Sequence, residues 1–448
     1  MHFIEINQLA LWNCRRINHL NFLNGYLHRL YLAWTLHSLQ NIEMPVLKSL
    51  LVIASCTIYG SLSNIPEVDM DVVEIIAFYG YTVEVITVQT QDGYILHMHR
   101  IPYGKNDTVK SVMRKRPVVF FQHGLLSSSA DWVLNTPSGS AAFIFADAGF
   151  DVWMGNVRGN FYSKQHQNYS SKDEEYWQFS WDEISKYDLN AMINKVLQVT
   201  KQPDLYYIGH SQGTLIMLAK LATDEEFHLK IRKFFALAPI GTVAHIEGLV
   251  NYLSKFALRL PFIKRLLGDK EFLPATWFTK LVGKYICGLR YINPLCDSVL
   301  FQIAGPDNQF NQSRLPVFLS HIPAGTSTQN VIHWTQMVKS GRTQAYDYGS
   351  KAKNLHHYGQ PFPPLYNLRR VNTPVYLYWS DKDWLADEVD IKNALLARIP
   401  QQYLKQNNRL IDFNHLDFVW GLRAADEIYK PIIRTILAHE LRRERFRG

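Results

Sequence analysis

Cysteine is scarce in this 448-residue chain: Cys14, Cys56, Cys287 and Cys296 are the full set, and none belongs to a CxxC pair. That spacing argues against a structural zinc site. Charged residues are also few, 19% against 47% apolar, which excludes a disordered or fibrous protein and leaves enough apolar side chains for a large core. The net charge of +8 is unfocused, since Arg114, Lys115 and Arg116 form one short cluster and the tail arginines Arg442, Arg443, Arg445 and Arg447 are interleaved with Glu440 and Glu444. With no zinc-finger, homeodomain or RNA-binding signature beside it, that charge reads as solvated surface and no nucleic-acid partner is expected. No internal repeat or low-complexity stretch occurs, and no apolar run reaches the ~20 residues of an ordinary membrane-spanning helix. A stable transmembrane anchor is therefore not expected. Aromatic residues are plentiful, at 13%, and such side chains suit walls around apolar ligands as well as big cores.

The N-terminus reads as an address. Met44-Pro-Val-Leu-Lys48 precedes the largely apolar run Ser49 to Tyr59, followed by Gly60, Ser61, Leu62 and Ser63. A short positive region, an apolar core and small residues beyond it make a signal peptide, assigned to residues 44–63. Residues 1–43 are aromatic and irregular and fit poorly ahead of it, so translation starts either at Met44 or at Met1 with an extra segment or signal-anchor. The sequons Asn106-Asp-Thr108, Asn168-Tyr-Ser170 and Asn311-Gln-Ser313 agree with passage through the secretory pathway, the destination being lysosomal or extracellular.

From about residue 83, short β-rich runs alternate with helical ones. Val83–Thr90 and Gly93–Arg100 predict a hairpin, and Pro117–Gln122, Phe150–Met154, Leu205–Ile208, Phe234–Ala238 and Pro374–Tyr378 predict further strands. Continuous apolar runs suit strands covered on both faces, as in a parallel sheet. Asp188–Val199 and Gly213–Ala222 carry apolar residues at helical spacing. This succession implies a mostly parallel, doubly wound α/β sheet. The rhythm breaks over residues 241–366, which predicts an insertion between two parts of one core, 64–240 and 367–437, with a basic tail at 438–448. Within the insertion, Cys287 and Cys296 either close a small disulfide or remain buried thiols.

Gly209-His-Ser211-Gln-Gly213 stands between the strand ending near Ile208 and the helix that follows. In that context G-x-S-x-G is a sharp turn that exposes the serine hydroxyl as a nucleophile, with glycines letting strand and helix approach. Such a serine needs a histidine base and a carboxylate, in chain order serine, acid, histidine. His415 lies past the run Leu410–Phe413, where a loop delivers it to a strand end. Asp381, Asp383 and Asp387 all follow the strand at Val375–Trp379; Asp381 lies almost on the strand and Asp387 suits a helix cap, which favours Asp383. For the oxyanion, the backbone N–H of Gln212 is one donor and the turn His123-Gly124-Leu125 supplies the other, from Leu125.

The motifs together resemble the acid lipases, the α/β-hydrolase family that includes gastric and lysosomal acid lipases. The resemblance runs from about residue 74 to 430 and includes Gln91–Leu96, Gln122–Leu125, Ala146–Asn156 with Arg158-Gly-Asn160, Phe179–Glu183 with Lys186–Leu189, Gly209–Gly213, Asp383–Asp387 and His415–Phe418. It implies an α/β-hydrolase fold with a largely helical cap and movable lid near 241–366, and a disulfide between Cys287 and Cys296. It further implies hydrolysis of triacylglycerols or cholesteryl esters by Ser211, Asp383 and His415, with Leu125 and Gln212 holding the oxyanion. Neither metal nor organic cofactor is expected; the partner is neutral lipid at a lipid–water interface, and the sequence carries no signal for an oligomeric state. The rival readings are an esterase or thioesterase for small substrates and a catalytically silent lipid-binding protein on the same fold. The extra N-terminus and the tail beyond about Ile433 depart from the family pattern.

Overall fold

The computed structural model describes residues 65–107, 115–258, 269–274, 301–306 and 309–445; the expected leader at 44–63, the segment before it, and Cys287 and Cys296 lie outside these described residues. The strands, in chain order, are β1 (Glu84–Gln89), β2 (Tyr94–Ile101), β3 (Val118–Gln122), β4 (Asp151–Met154), β5 (Gln165–His166), β6 (Leu205–His210), β7 (Ile231–Leu237), β8 (Glu271–Phe272), β9 (Thr326–Ser327), β10 (Val375–Ser380) and β11 (Leu404–Leu410). One sheet has the order β1-β2-β4-β3-β6-β7-β10-β11, with β5 beside β2. The β1–β2 and β2–β4 pairs are antiparallel, and every pair from β4 to β11 is parallel. The expected doubly wound sheet is thus mixed at one end.

Burial explains why some strands were legible. β3, β4, β6 and β10 are buried at every position, so both faces read as apolar. β11 is different. The sequence placed the last strand-like run at Leu410–Phe413, whereas the strand is Leu404–Leu410 and its middle reads Lys-Gln-Asn-Asn-Arg. It is the sheet edge, where solvated polar side chains guard an unpaired ladder against other chains.

Helices cover the sheet: α1 (Val72–Phe78), α2 (Ala141–Asp147), α3 (Leu189–Thr200) and α4 (Gln212–Thr223). In α3 the buried residues are Leu189, Met192, Ile193 and Val196, one face at helical spacing. α4 is buried from Gln212 to Ala222, as a helix between the sheet and its covering layer must be. Between β7 and β10 the alternation stops, and the described elements are α5 (Gly248–Leu258), α6 (Leu315–His321), α7 (Thr328–Ser340), α8 (Lys351–Tyr358) and the small β8–β9 sheet. A final helix, α9 (Lys430–Arg445), runs through most of the segment expected as a tail. Its Glu440 accepts from Tyr206 Oη at 2.6 Å and from Arg232 at 2.7 Å, so this part of the tail is anchored to the core. Among the described residues, no helix is long and apolar enough to cross a membrane.

Arg158, from the Arg158-Gly-Asn160 motif, ties three segments of this frame together. Its guanidinium is 1% exposed, stacks 3.8 Å from the Tyr94 ring, and binds Asp92 at 2.6 and 2.8 Å and Asp188 at 2.7 Å. The β1–β2 turn, the loop after β4 and the start of α3 therefore share one cation. Burial pushes the Asp188 carboxyl up to about 6 even though Arg158 pulls it down. Removing Arg158 strands two carboxylates, and breaking a buried pair costs roughly 3–5 kcal/mol. Because the folded-state pKa of Asp188 lies above its unfolded value, the burial penalty is full above that pKa and is relieved as pH falls through it. Urea denaturation of Arg158→Met should therefore show a loss of this size at pH 7.5 and a clearly smaller one at pH 4.5; an equal loss at both would contradict this assignment.

Candidate active site

Three strands end at the same edge of the sheet and present the predicted residues there. Ser211 follows β6 directly, with φ 53° and ψ −119°, a left-handed value that a non-glycine residue adopts only when its surroundings enforce it. The enforcement is visible. Ser211 N–H donates to Leu237 O at 3.1 Å, while a Cβ on Gly213 would lie 2.4 Å from Gln122 O and one on Gly209 would lie 2.8 Å from the Gly213 backbone. Only glycine on both sides lets β3, β6 and α4 meet this closely. Gly124, on the opposing turn, is less tightly confined: a Cβ there would lie 3.1 Å from Ser211 Cβ.

His415 Nε2 lies 2.8 Å from Ser211 Oγ, and His415 Nδ1 lies 3.0 Å from each carboxylate oxygen of Asp383. With a carboxylate at Nδ1, the proton belongs on that nitrogen, which leaves the Nε2 lone pair facing the serine hydroxyl. The backbone around the pair is fixed. Asp383 Oδ1 also accepts from Leu385 N at 2.9 Å and Ala386 N at 2.8 Å, and His415 N–H donates to Ala304 O at 3.1 Å. The His415 carbonyl accepts from His210 Nε2 at 2.9 Å, and burial holds the His210 imidazole down to about 3, so it stays neutral. Ser211, Asp383 and His415 are all buried.

The competing aspartates have other tasks. Asp381 pairs with Arg409 at 3.0 Å on the surface, and Asp387 caps the turn at Glu388–Asp390 by accepting from Val389 N at 2.7 Å. Gln212 is the first residue of α4, so its N–H has no carbonyl within the helix to donate to. Leu125 sits in the turn after β3, beside Gly124. His123 is a buried structural imidazole whose Nδ1 lies 2.8 Å from Gly124 O, and burial lowers it to about 4. Of the sequon asparagines, Asn106 and Asn168 are exposed and Asn311 is half-buried.

A model of the alpha/beta hydrolase fold matches residues 117–256, and one of a partial alpha/beta-hydrolase lipase region matches 72–136. Gastric triacylglycerol lipase of Homo sapiens is 45% identical over 372 residues, covering 83% of this chain and 92% of that protein. Lysosomal acid lipase/cholesteryl ester hydrolase of Homo sapiens is 44% identical over 384 residues, covering 85% and 94%. The chain belongs to the acid lipase family of α/β-hydrolases. Within that family, lipase lipl-1 of Caenorhabditis elegans is 51% identical over 386 residues, covering 85% of this chain and 95% of that protein. A solved structure from Sulfolobus solfataricus shares the fold of this acid lipase with a TM-score of 0.53 at 12% identity, over 80% of this chain and 95% of that one.

Sequence reasoning missed the polar residues of this acid lipase that reach the site from other segments. Asn330 and Trp334 bind the Gln212 side chain, and Asp131 is a buried carboxyl in the segment after β3. Burial raises the Asp131 carboxyl to about 7. None of the three stands in a motif, and no sequence signal linked them to the site.

The acid assignment has a direct test. Asp383→Asn should leave the fold intact and lower turnover by roughly 10⁴, because an amide partner favours the wrong imidazole tautomer. Asp381→Asn should change turnover by less than about twofold, as a surface ion pair is worth little. Steady-state kinetics with the roles of Asp381 and Asp383 reversed would overturn the assignment.

Proposed function

We propose that this chain hydrolyses carboxylic esters of neutral lipids, triacylglycerol and/or cholesteryl ester, through an acyl-enzyme formed on Ser211. The observation that carries the reading is the continuous chain of contacts Ser211 Oγ, His415 Nε2, His415 Nδ1 and Asp383, at 2.8 and 3.0 Å. The substrate class rests on the activities that the gastric and lysosomal relatives are named for.

In this reading His415 Nε2 takes the Ser211 proton as Oγ attacks the ester carbonyl, and the developing oxyanion accepts from the N–H groups of Leu125 and Gln212. The positive end of α4 adds to that stabilisation. Asp383 holds the imidazolium in place. His415 then protonates the leaving alcohol, water attacks the acyl-Ser211 ester with His415 again as base, and the fatty acid departs.

The same reading makes residues 241–366 a cap over the sheet, joins Cys287 to Cys296, and places N-glycans on Asn106, Asn168 and Asn311. With residues 44–63 as a signal peptide, the protein enters the secretory pathway and acts in lysosomes or outside the cell, at a lipid–water interface.

Ser211→Ala should lower turnover of emulsified triacylglycerol or cholesteryl ester by roughly 10⁶, since members of such a triad act as a unit. The wild-type rate should climb once substrate exceeds its solubility limit. Ser211→Ala activity near wild type would remove Ser211 from the chemistry, and a rate that saturates below that limit would identify an esterase for dissolved substrates.

A further inference from the structure

The two expected oxyanion donors stand on separate pieces of chain, Leu125 in the turn after β3 and Gln212 at the start of α4. Each piece is held by the same distant segment. The N–H of Ala324 donates to Leu126 O at 2.7 Å, and the Ala324 carbonyl accepts from Phe161 N at 2.8 Å. Leu126 has φ 60°, so the turn carrying Leu125 sits in a left-handed geometry that needs outside support. A few residues on, Gln212 Oε1 accepts from both Asn330 Nδ2 at 3.0 Å and Trp334 Nε1 at 2.9 Å.

Asn330 and Trp334 are four residues apart in α7 and so lie on one helix face. Their convergence on a single oxygen is well specified. Asn330 is fully buried, and its Oδ1 accepts from Trp181 N at 2.9 Å while its N–H donates to Ser327 Oγ at 2.9 Å. Gln212 is 2% exposed. A buried glutamine oxygen needs a partner, and α7 supplies both.

We propose that the cap segment 324–334 positions the oxyanion hole, with Asn330 and Trp334 as positioning residues that act through the Gln212 side chain, and Ala324 through the Leu126 carbonyl. This rests on the reading of Leu125 and Gln212 as the oxyanion donors. It gives the cap a task beyond covering substrate: the hole is complete only while α7 is seated on Gln212. A cap that merely packs on the core would contribute to stability and substrate binding but would not act on the tetrahedral state in particular.

The test uses Trp334→Phe, which keeps the ring and removes the indole N–H, and Gln212→Met, which keeps the backbone N–H and removes the acceptor. Both act on the full-length enzyme with a soluble short-chain ester. Trp334→Phe should lower kcat roughly tenfold, short of the roughly 100-fold or more that follows loss of a whole oxyanion donor. KM should stay within about twofold, the mark of an interaction made in the transition state. Affinity for an aliphatic trifluoromethyl ketone, whose serine adduct carries an oxyanion, should fall by the same factor as kcat. Gln212→Met should lose at least as much, and the double variant no more than Gln212→Met alone, because both changes break one link. Wild-type kcat in Trp334→Phe, or losses that multiply in the double variant, would overturn the proposal while an inactive Ser211→Ala leaves the site reading standing. An active Ser211→Ala would overturn that reading and the proposal together.

Discussion

The turn at Ser211 is the constraint on which the site depends. Its left-handed backbone, φ 53°, is unfavourable for any residue with a Cβ, and it persists because β3, β6 and α4 close on it without room for side chains at Gly209 and Gly213. The strain is offset by the core: β6 is buried at every position and so is α4 from Gln212 to Ala222. The result is a hydroxyl delivered to the edge where β3, β10 and the loop after β11 also end. His415, Asp383 and Leu125 then need only short loops to reach that edge.

Electrostatics follows from that burial. His123 and His210, beside the site, are held neutral, pushed down to about 4 and 3 because burial excludes water. Burial moves the nearby Asp131 carboxyl the other way, up to about 7. Charge is retained where a partner is built in, as at Arg158 with Asp92 and Asp188. The chain of contacts through Ser211, His415 and Asp383 thus lies in buried, low-dielectric surroundings, where fixed dipoles act more strongly than they would in water.

Much of this was legible in the residues. G-x-S-x-G between an apolar strand and a helix pointed to Ser211, and position past the last strand-like run, with chain order setting His123 aside, pointed to His415 among seventeen histidines. Asp383 was favoured over Asp381 and Asp387 by position in the loop, and the contacts of the other two, to Arg409 and to Val389 N, show why position was informative. β11 escaped because edge strands are polar by function. The contacts to Gln212 escaped for another reason: Asn330 and Trp334 reach it across more than a hundred residues, and only tertiary packing brings them together.

The central claim is that one buried serine among many hydroxyls is a nucleophile activated by His415. Reaction of the intact protein with a fluorophosphonate, followed by proteolysis and mass spectrometry of the peptides, tests it most directly. The account predicts one label per chain, on the peptide containing Ser211, and its loss in His415→Ala. Label on another residue, or a folded wild-type protein that takes up none, would contradict it.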